Sequence, residues 1–144
     1  MRSSHVIAGA ALLLASAGLA RTSPQSPAPA AQSIGGNVEH GRYLVENVAM
    51  CVECHSPRDS QGNIIESRKF DGAPVPVRPP WPNDWALIAP RNKGLPGYDD
   101  AQALRLLTEG AIGRDGRQLR PPMPRFHMTQ QDAADVIAFM RSLS

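Results

Sequence analysis

Aromatic side chains are scarce in this 144-residue chain: two Trp, two Tyr and three Phe make up 5 % of it. A small domain with so few large side chains has a thin core and often needs a staple such as disulfides, a metal or a bound cofactor. Cysteine is scarcer still, with Cys51 and Cys54 alone, so a framework of several disulfides and a four-cysteine zinc site are both excluded. An excess of one charge is also missing. Lys+Arg number 15 against Asp+Glu 13, which gives no basic footprint for a phosphate backbone and argues against nucleic acid as a partner. The chain has no uncharged apolar run as long as the roughly 20 residues of a spanning helix. Its longest such stretch is Val6 to Ala20.

What is present divides the chain into three. Arg2 gives a positive start, the apolar stretch follows, and small residues at Gly18 and Ala20, or at Ala15 and Ala17, offer a cleavage site. Residues 1–20 therefore read as a secretory signal peptide, which implies an exported, periplasmic protein with no stable membrane span after cleavage. Removing them leaves Lys+Arg 14 against Asp+Glu 13, a formal +1. No Cys lies near the cut, so a lipid anchor is not indicated. Residues 21–36, RTSPQSPAPAAQSIGG, have too little apolar area to bury and read as a flexible linker. The folded domain is expected over residues 37–144.

Within that domain the periodicity predicts helices and loops, and no strand. Val38, Gly41, Leu44, Val45 and Val48 fall on one helical stripe, with Asn37 as the cap and a helix to about Met50. Gly41 inside a helix costs about 1 kcal/mol against Ala, and a second helix crossing closely there accounts for it. Residues 56–98 are irregular; GAPVPVRPPWPNDW holds six prolines or glycines, which exclude long helices. An extended loop that wraps something large and apolar gives Trp81 and Trp85 a surface to pack on. Asp99 or Asp100 caps a short helix to about Glu109, with Leu104 and Leu107 inward and Gly110 at its left-handed end. Asp115-Gly116 marks a turn. Thr129 caps the last helix with Asp132 three positions on, Met128 can staple onto Ala133, and Ala133, Val136, Ile137, Met140 and Leu143 form its apolar stripe.

Both cysteines lie in one motif, Cys51-Val52-Glu53-Cys54-His55, directly after the first helix. The pattern C-x-x-C-H reads as covalent haem attachment. A two-residue spacer lets both sulfurs reach the vinyl groups on one porphyrin edge, and His55 is carried under the iron as its proximal ligand. A zinc site lacks further cysteines, and His40, His55 and His127 have no ordinary finger spacing. A redox dithiol usually follows a strand in a βαβ unit, and no such context is visible.

An electron carrier needs a second axial ligand, for which Met123, Met128, Met140, His127 and His40 are candidates. Met123, 68 residues after His55, sits in the proline-stiffened run Pro121-Pro122-Met123-Pro124 and leads. Met128 and Met140 are better explained by the staple and the helix core, and His127 is the rival. A thioether ligand favours ferrous iron and raises the reduction potential over that of two histidines.

These residues together resemble class I c-type cytochromes, nearest to the monohaem cytochrome c subunits or domains that serve periplasmic dehydrogenases of the molybdenum hydroxylase or alcohol dehydrogenase type. The resemblance covers about residues 38–144. It rests on Gly41-Arg42-Tyr43-Leu44-Val45, CVECHSPR from Cys51 to Arg58, Ser67-Arg68-Lys69-Phe70, Ala89-Pro90, Gly113-Arg114-Asp115-Gly116-Arg117 and the run around Met123. It implies a small all-α fold of three to four short helices and long loops wrapped around one haem c. It also implies Cys51 and Cys54 as thioether sites, His55 and Met123 as iron ligands, and a dehydrogenase donor with a cytochrome or oxidase acceptor. Arg125 and Phe126 after Met-Pro, and a short stretch at Arg91-Asn92-Lys93, depart from the family pattern. The implied function is single-electron transfer rather than catalysis. A haem sensor with a weak or open sixth site is the alternative, and a peroxidase-like subunit with His127 as distal base is a third class. Arg114, Arg117, Arg120 and Arg125, with Asp115 the one acid among them, cluster around the methionine run. They either face an acidic partner, pair with haem propionates or simply meet water.

Overall fold

Asn37 has extended backbone (φ −86°, ψ 110°), and its side chain accepts the His40 N–H, so helix α1, Val38–Tyr43, begins where the sequence places it. The expected run to about Met50 is helical as far as Val48, but its last turn is not α. The computed structural model, which describes residues 35–143, widens Leu44–Val48 into a π-helical turn, with the Ala49 N–H donating to the Leu44 carbonyl at 2.7 Å. Met50 then takes a left-handed conformation (φ 54°) and α2, Cys51–His55, starts in a new direction. Gly41 and Val45 are buried, but Val48 is exposed because the wider turn rotates it off the stripe, and Val38 is exposed as well. The expected signal peptide and most of the expected linker lie outside the described residues.

The long segment after α2 contains a single 3₁₀ turn, Glu66–Arg68, and a two-residue antiparallel ladder. Strand β1 (Ala73–Pro74) pairs with β2 (Ile88–Ala89), Ala73 opposite Ala89. Two-residue strands are too short to leave a period-two signature, which is why the sequence predicts none. Trp81, midway along the loop joining the strands, is exposed and Trp85 is half-buried against the protein's own atoms.

Helix α3, Asp100–Thr108, is capped by Asp99, whose side chain accepts from the Gln102 N–H while Gln102 reaches back to the Asp99 N–H. Its buried positions are Ala103 and Leu107; Leu104 is only partly covered. Gly110 follows with φ 88°, the conformation its position predicts. Helix α4, Gln130–Ser142, starts at Thr129, which accepts the Asp132 N–H at 3.1 Å. It buries Ala133, Val136, Ile137 and Met140 as its pattern requires, with Leu143 partly covered.

Helices α1 and α4 cross at Gly41. A Cβ there would overlap the Asp135 carbonyl and come within 2.9 Å of the Phe139 Cβ, so only glycine allows the approach. Val45, Phe70, Leu107, Ile137 and Met140 fill the core beside the crossing, and Phe70 meets Phe139 edge-on at 6.1 Å. Apart from the short ladder the regular structure is helical, the expected architecture of short helices and long loops.

Candidate haem-binding site

Helix α2 sets the site. Its residues 51 and 54 are three apart on a helix and so lie on one side of it, and both thiols are free. Burial pushes the Cys51 thiol up to about 11, and burial with the neighbouring Glu53 charge raises Cys54 too. Both shifts run opposite to the lowered value of an activated redox thiol. Arg58 clamps the helix from outside: its guanidinium pairs with the Glu53 carboxylate and donates to the Gly62 carbonyl at 2.7 Å.

His55 closes α2 and is 8 % exposed. Its Nδ1–H donates to the Pro90 carbonyl at 2.7 Å. This fixes the tautomer and leaves the Nε2 lone pair free for a metal. Burial lowers the basicity of the ring, which keeps the imidazole neutral as a ligand must be. The backbone around it is pinned from several sides. The Gly72 N–H donates to the His55 carbonyl (2.8 Å), the buried Ser56 hydroxyl accepts from the Phe70 N–H (3.1 Å), and Asn92 and Lys93 both donate to the Phe70 carbonyl. The Ala89-Pro90 pair is visible in the sequence, but its part in holding His55 is not, since a carbonyl leaves no mark on composition.

The candidate second ligands fall in different places. Met140 is core, Met128 packs against the core with its N–H on the Leu107 carbonyl, and His127 is exposed beside Gly110. His40 is engaged at the helix crossing, its Nδ1 2.7 Å from Asp135 Oδ2. Met123 is half-buried in the loop between Gly110 and α4, and that loop is tied to the β1–β2 loop by the Ala86 N–H on the Pro121 carbonyl at 2.7 Å.

Among the described residues one further cluster has ligand atoms close together: His40, Asp132 and Asp135, within 4.8 Å. Both Asp135 oxygens are already taken, by the Asn37 N–H, Gln131 Nε2 and His40. The cluster is a helix joint, with no oxygen of Asp135 left over for a cation.

The site residues fit a covalent haem. Two free thiols share one side of a helix, and an oriented imidazole follows directly. Fold and site together define a c-type haem protein. The chain belongs to the cytochrome c family: residues 38–144 match the family described as cytochrome c. The family is one of haem-based electron transfer, and its cofactor is haem c with its iron. A diheme cytochrome c-type protein of Cereibacter sphaeroides is 50 % identical over 38 residues, which are 26 % of this chain and 13 % of that relative. The chain thus spans a small fraction of the relative's length. No helix among the described residues is long and apolar enough to cross a membrane.

Proposed function

We propose that the protein is an exported, periplasmic carrier of single electrons with one haem, held by Cys51 and Cys54 and ligated by His55 and Met123. The donor is a dehydrogenase and the acceptor a cytochrome or oxidase of the respiratory chain. Bound haem c supplies the one-electron couple. The chain's own residues do the rest. Cys51 and Cys54 hold the porphyrin by thioether bonds, so it cannot dissociate after export. The Pro90 carbonyl locks the His55 ring with Nε2 outward, and this hydrogen bond is the observation that carries the reading. Met123 offers a thioether from a segment restricted by three neighbouring prolines, so little freedom is lost on ligation. A soft sulfur ligand raises the potential and fills the position at which small molecules bind.

Visible and near-infrared spectra of the haem-loaded protein test this. Wild type is expected to show a sharp reduced c-type band and the weak far-red ferric band of sulfur ligation, and Met123→Ala is expected to lose the far-red band and to fall in potential. A c-type spectrum without that band in wild type would transfer the ligand role to His127 or to an open site, and the function to sensing. A colourless protein from cells competent in haem attachment would end the cytochrome reading.

A further inference from the structure

Phe70 is fully buried, and its backbone lies in the left-handed region (φ 65°). For a bulky side chain that conformation is an outlier, kept only where the surroundings over-determine it. Both backbone polar groups of Phe70 are engaged. Its N–H donates to the hydroxyl of buried Ser56, the residue after His55, at 3.1 Å. Its carbonyl accepts from the Asn92 and Lys93 N–H groups at 3.1 and 3.2 Å, just beyond Pro90. Relaxing Phe70 to negative φ would turn its N–H and carbonyl relative to each other, so one of the two sides would be released.

Gly72 repeats the arrangement. It too has positive φ, 87°, and its N–H donates to the His55 carbonyl at 2.8 Å. Its other side lies against the Pro90–Arg91 peptide: a Cβ at Gly72 would come within 2.7 Å of the Arg91 nitrogen and 2.9 Å of the Pro90 carbonyl carbon. No side chain fits in that space, so only glycine lets the two segments close. Ala73, paired with Ala89, continues the bracing along the ladder. Segment 70–72 thus grips both ends of one hydrogen bond. It holds the backbone of His55 on one side and the peptide of Pro90 on the other, and the bond from His55 Nδ1–H to the Pro90 carbonyl spans the same gap at 2.7 Å.

We propose that Phe70 and Gly72 are positioning residues that set the length of the His55–Pro90 hydrogen bond, and through it the reduction potential of the bound haem. The inference rests on the electron-transfer reading above and adds the residues that tune it. A carbonyl on Nδ1–H makes imidazole a more basic ligand, and a more basic ligand favours ferric iron. Hydrogen bonding behind the ligand is one of the levers by which a protein sets that potential. Thickening the spacer at Gly72, or freeing the Phe70 N–H from Ser56, lets the Pro90 carbonyl draw back from the ring. The ring then donates less and the potential rises.

The test takes the full, haem-loaded chain as wild type, Ser56→Ala, Ser56→Thr, Gly72→Ala and Asp135→Asn. The reduction potential is read by spectroelectrochemical titration, and the exchange rate of His55 Nδ1–H by NMR of the ferrous protein. Ser56→Ala and Gly72→Ala are expected to favour ferrous iron about threefold more than wild type and to speed Nδ1–H exchange about tenfold. Ser56→Thr keeps the oxygen and is expected to match wild type in both. Asp135→Asn loosens the helix crossing without touching segment 70–72, and is expected to lose thermal stability with its potential unchanged. A potential unchanged or lowered in Ser56→Ala or in haem-loaded Gly72→Ala would overturn the proposal. So would a Ser56→Thr that behaves as Ser56→Ala does, or an equal rise in Asp135→Asn, which would mean that lost stability alone moves the potential. If Gly72→Ala takes up no haem, the two Ser56 variants decide. Unmoved potentials beside a wild type with a c-type spectrum refute the positioning role and spare the electron-transfer reading, whereas a wild type without that spectrum refutes both.

Discussion

The carboxylate of Asp135 accepts from the Asn37 N–H at 2.7 Å, from Gln131 Nε2 at 2.8 Å and from His40 Nδ1 at 2.7 Å, while its side chain is almost sealed from water. The Asn37 amide, and after it His40, hold its pKa below the ordinary 3.8. A depressed folded-state value means that the stabilisation is whole above the unfolded value and is lost as pH falls through the folded one. Asp135→Asn is therefore expected to cost about 2 kcal/mol near neutral pH, the scale of lost hydrogen bonds to a charged group. It should also flatten the acid limb of stability below about pH 4. Guanidinium midpoints taken across the acid range check both, and a variant that kept the wild-type acid limb would refute the assignment. At this scale the sequence is readable where chemistry is contiguous. Cys51, Cys54 and His55 announce themselves as one motif, but His40 and Asp135 stand 95 positions apart and become a pair only when two helices cross. The Pro90 carbonyl that orients His55 is hidden for the same reason: its partner lies 35 residues away.

Helices here are legible by their ends. Asn37, Asp99 and Thr129 each cap as their side-chain chemistry requires, and Gly110 terminates α3 by its positive φ. The end of the first helix near Met50 was legible but its left-handed conformation was not, because Met50 takes it without the glycine or asparagine that usually signals one. The β1–β2 ladder escaped notice because its residues serve a loop rather than a sheet. The α1–α4 crossing is the element-level feature with the sharpest consequence. Gly41→Ala would set a methyl group inside the Asp135 carbonyl, so the helices must part or shift. A loss of about 3 kcal/mol is expected, at the upper end for overpacked positions, and thermal unfolding of the haem-loaded protein measures it. A variant of wild-type stability would show that the crossing is looser than the geometry requires.

Over the whole molecule the charges of residues 35–143 cancel, yet they are sorted, with the arginines on the segments around Pro90 and Met123 and the acids elsewhere. Net charge alone gives no hint of this sorting; it emerges once the two loops are seen to be hydrogen-bonded together. Electron transfer to an acidic partner is expected to slow as ionic strength rises and screens the attraction. Changing Arg117 and Arg120 to Gln should make that salt dependence shallower, and stopped-flow rates at several salt concentrations read it directly; an unaltered slope would remove these arginines from the encounter. The crossing of α1 by α4 also sets a timetable. Ribosomes deliver Gly41 and the two thiols before the helix that covers Gly41, so the attachment segment emerges ahead of its cover. Closure is a contact of long sequence separation and comes slowly. Machinery that must reach Cys51 and Cys54 therefore has its widest opening before α4 packs on α1, and a variant in which α4 cannot pack would carry its attachment motif on a fold that never shuts.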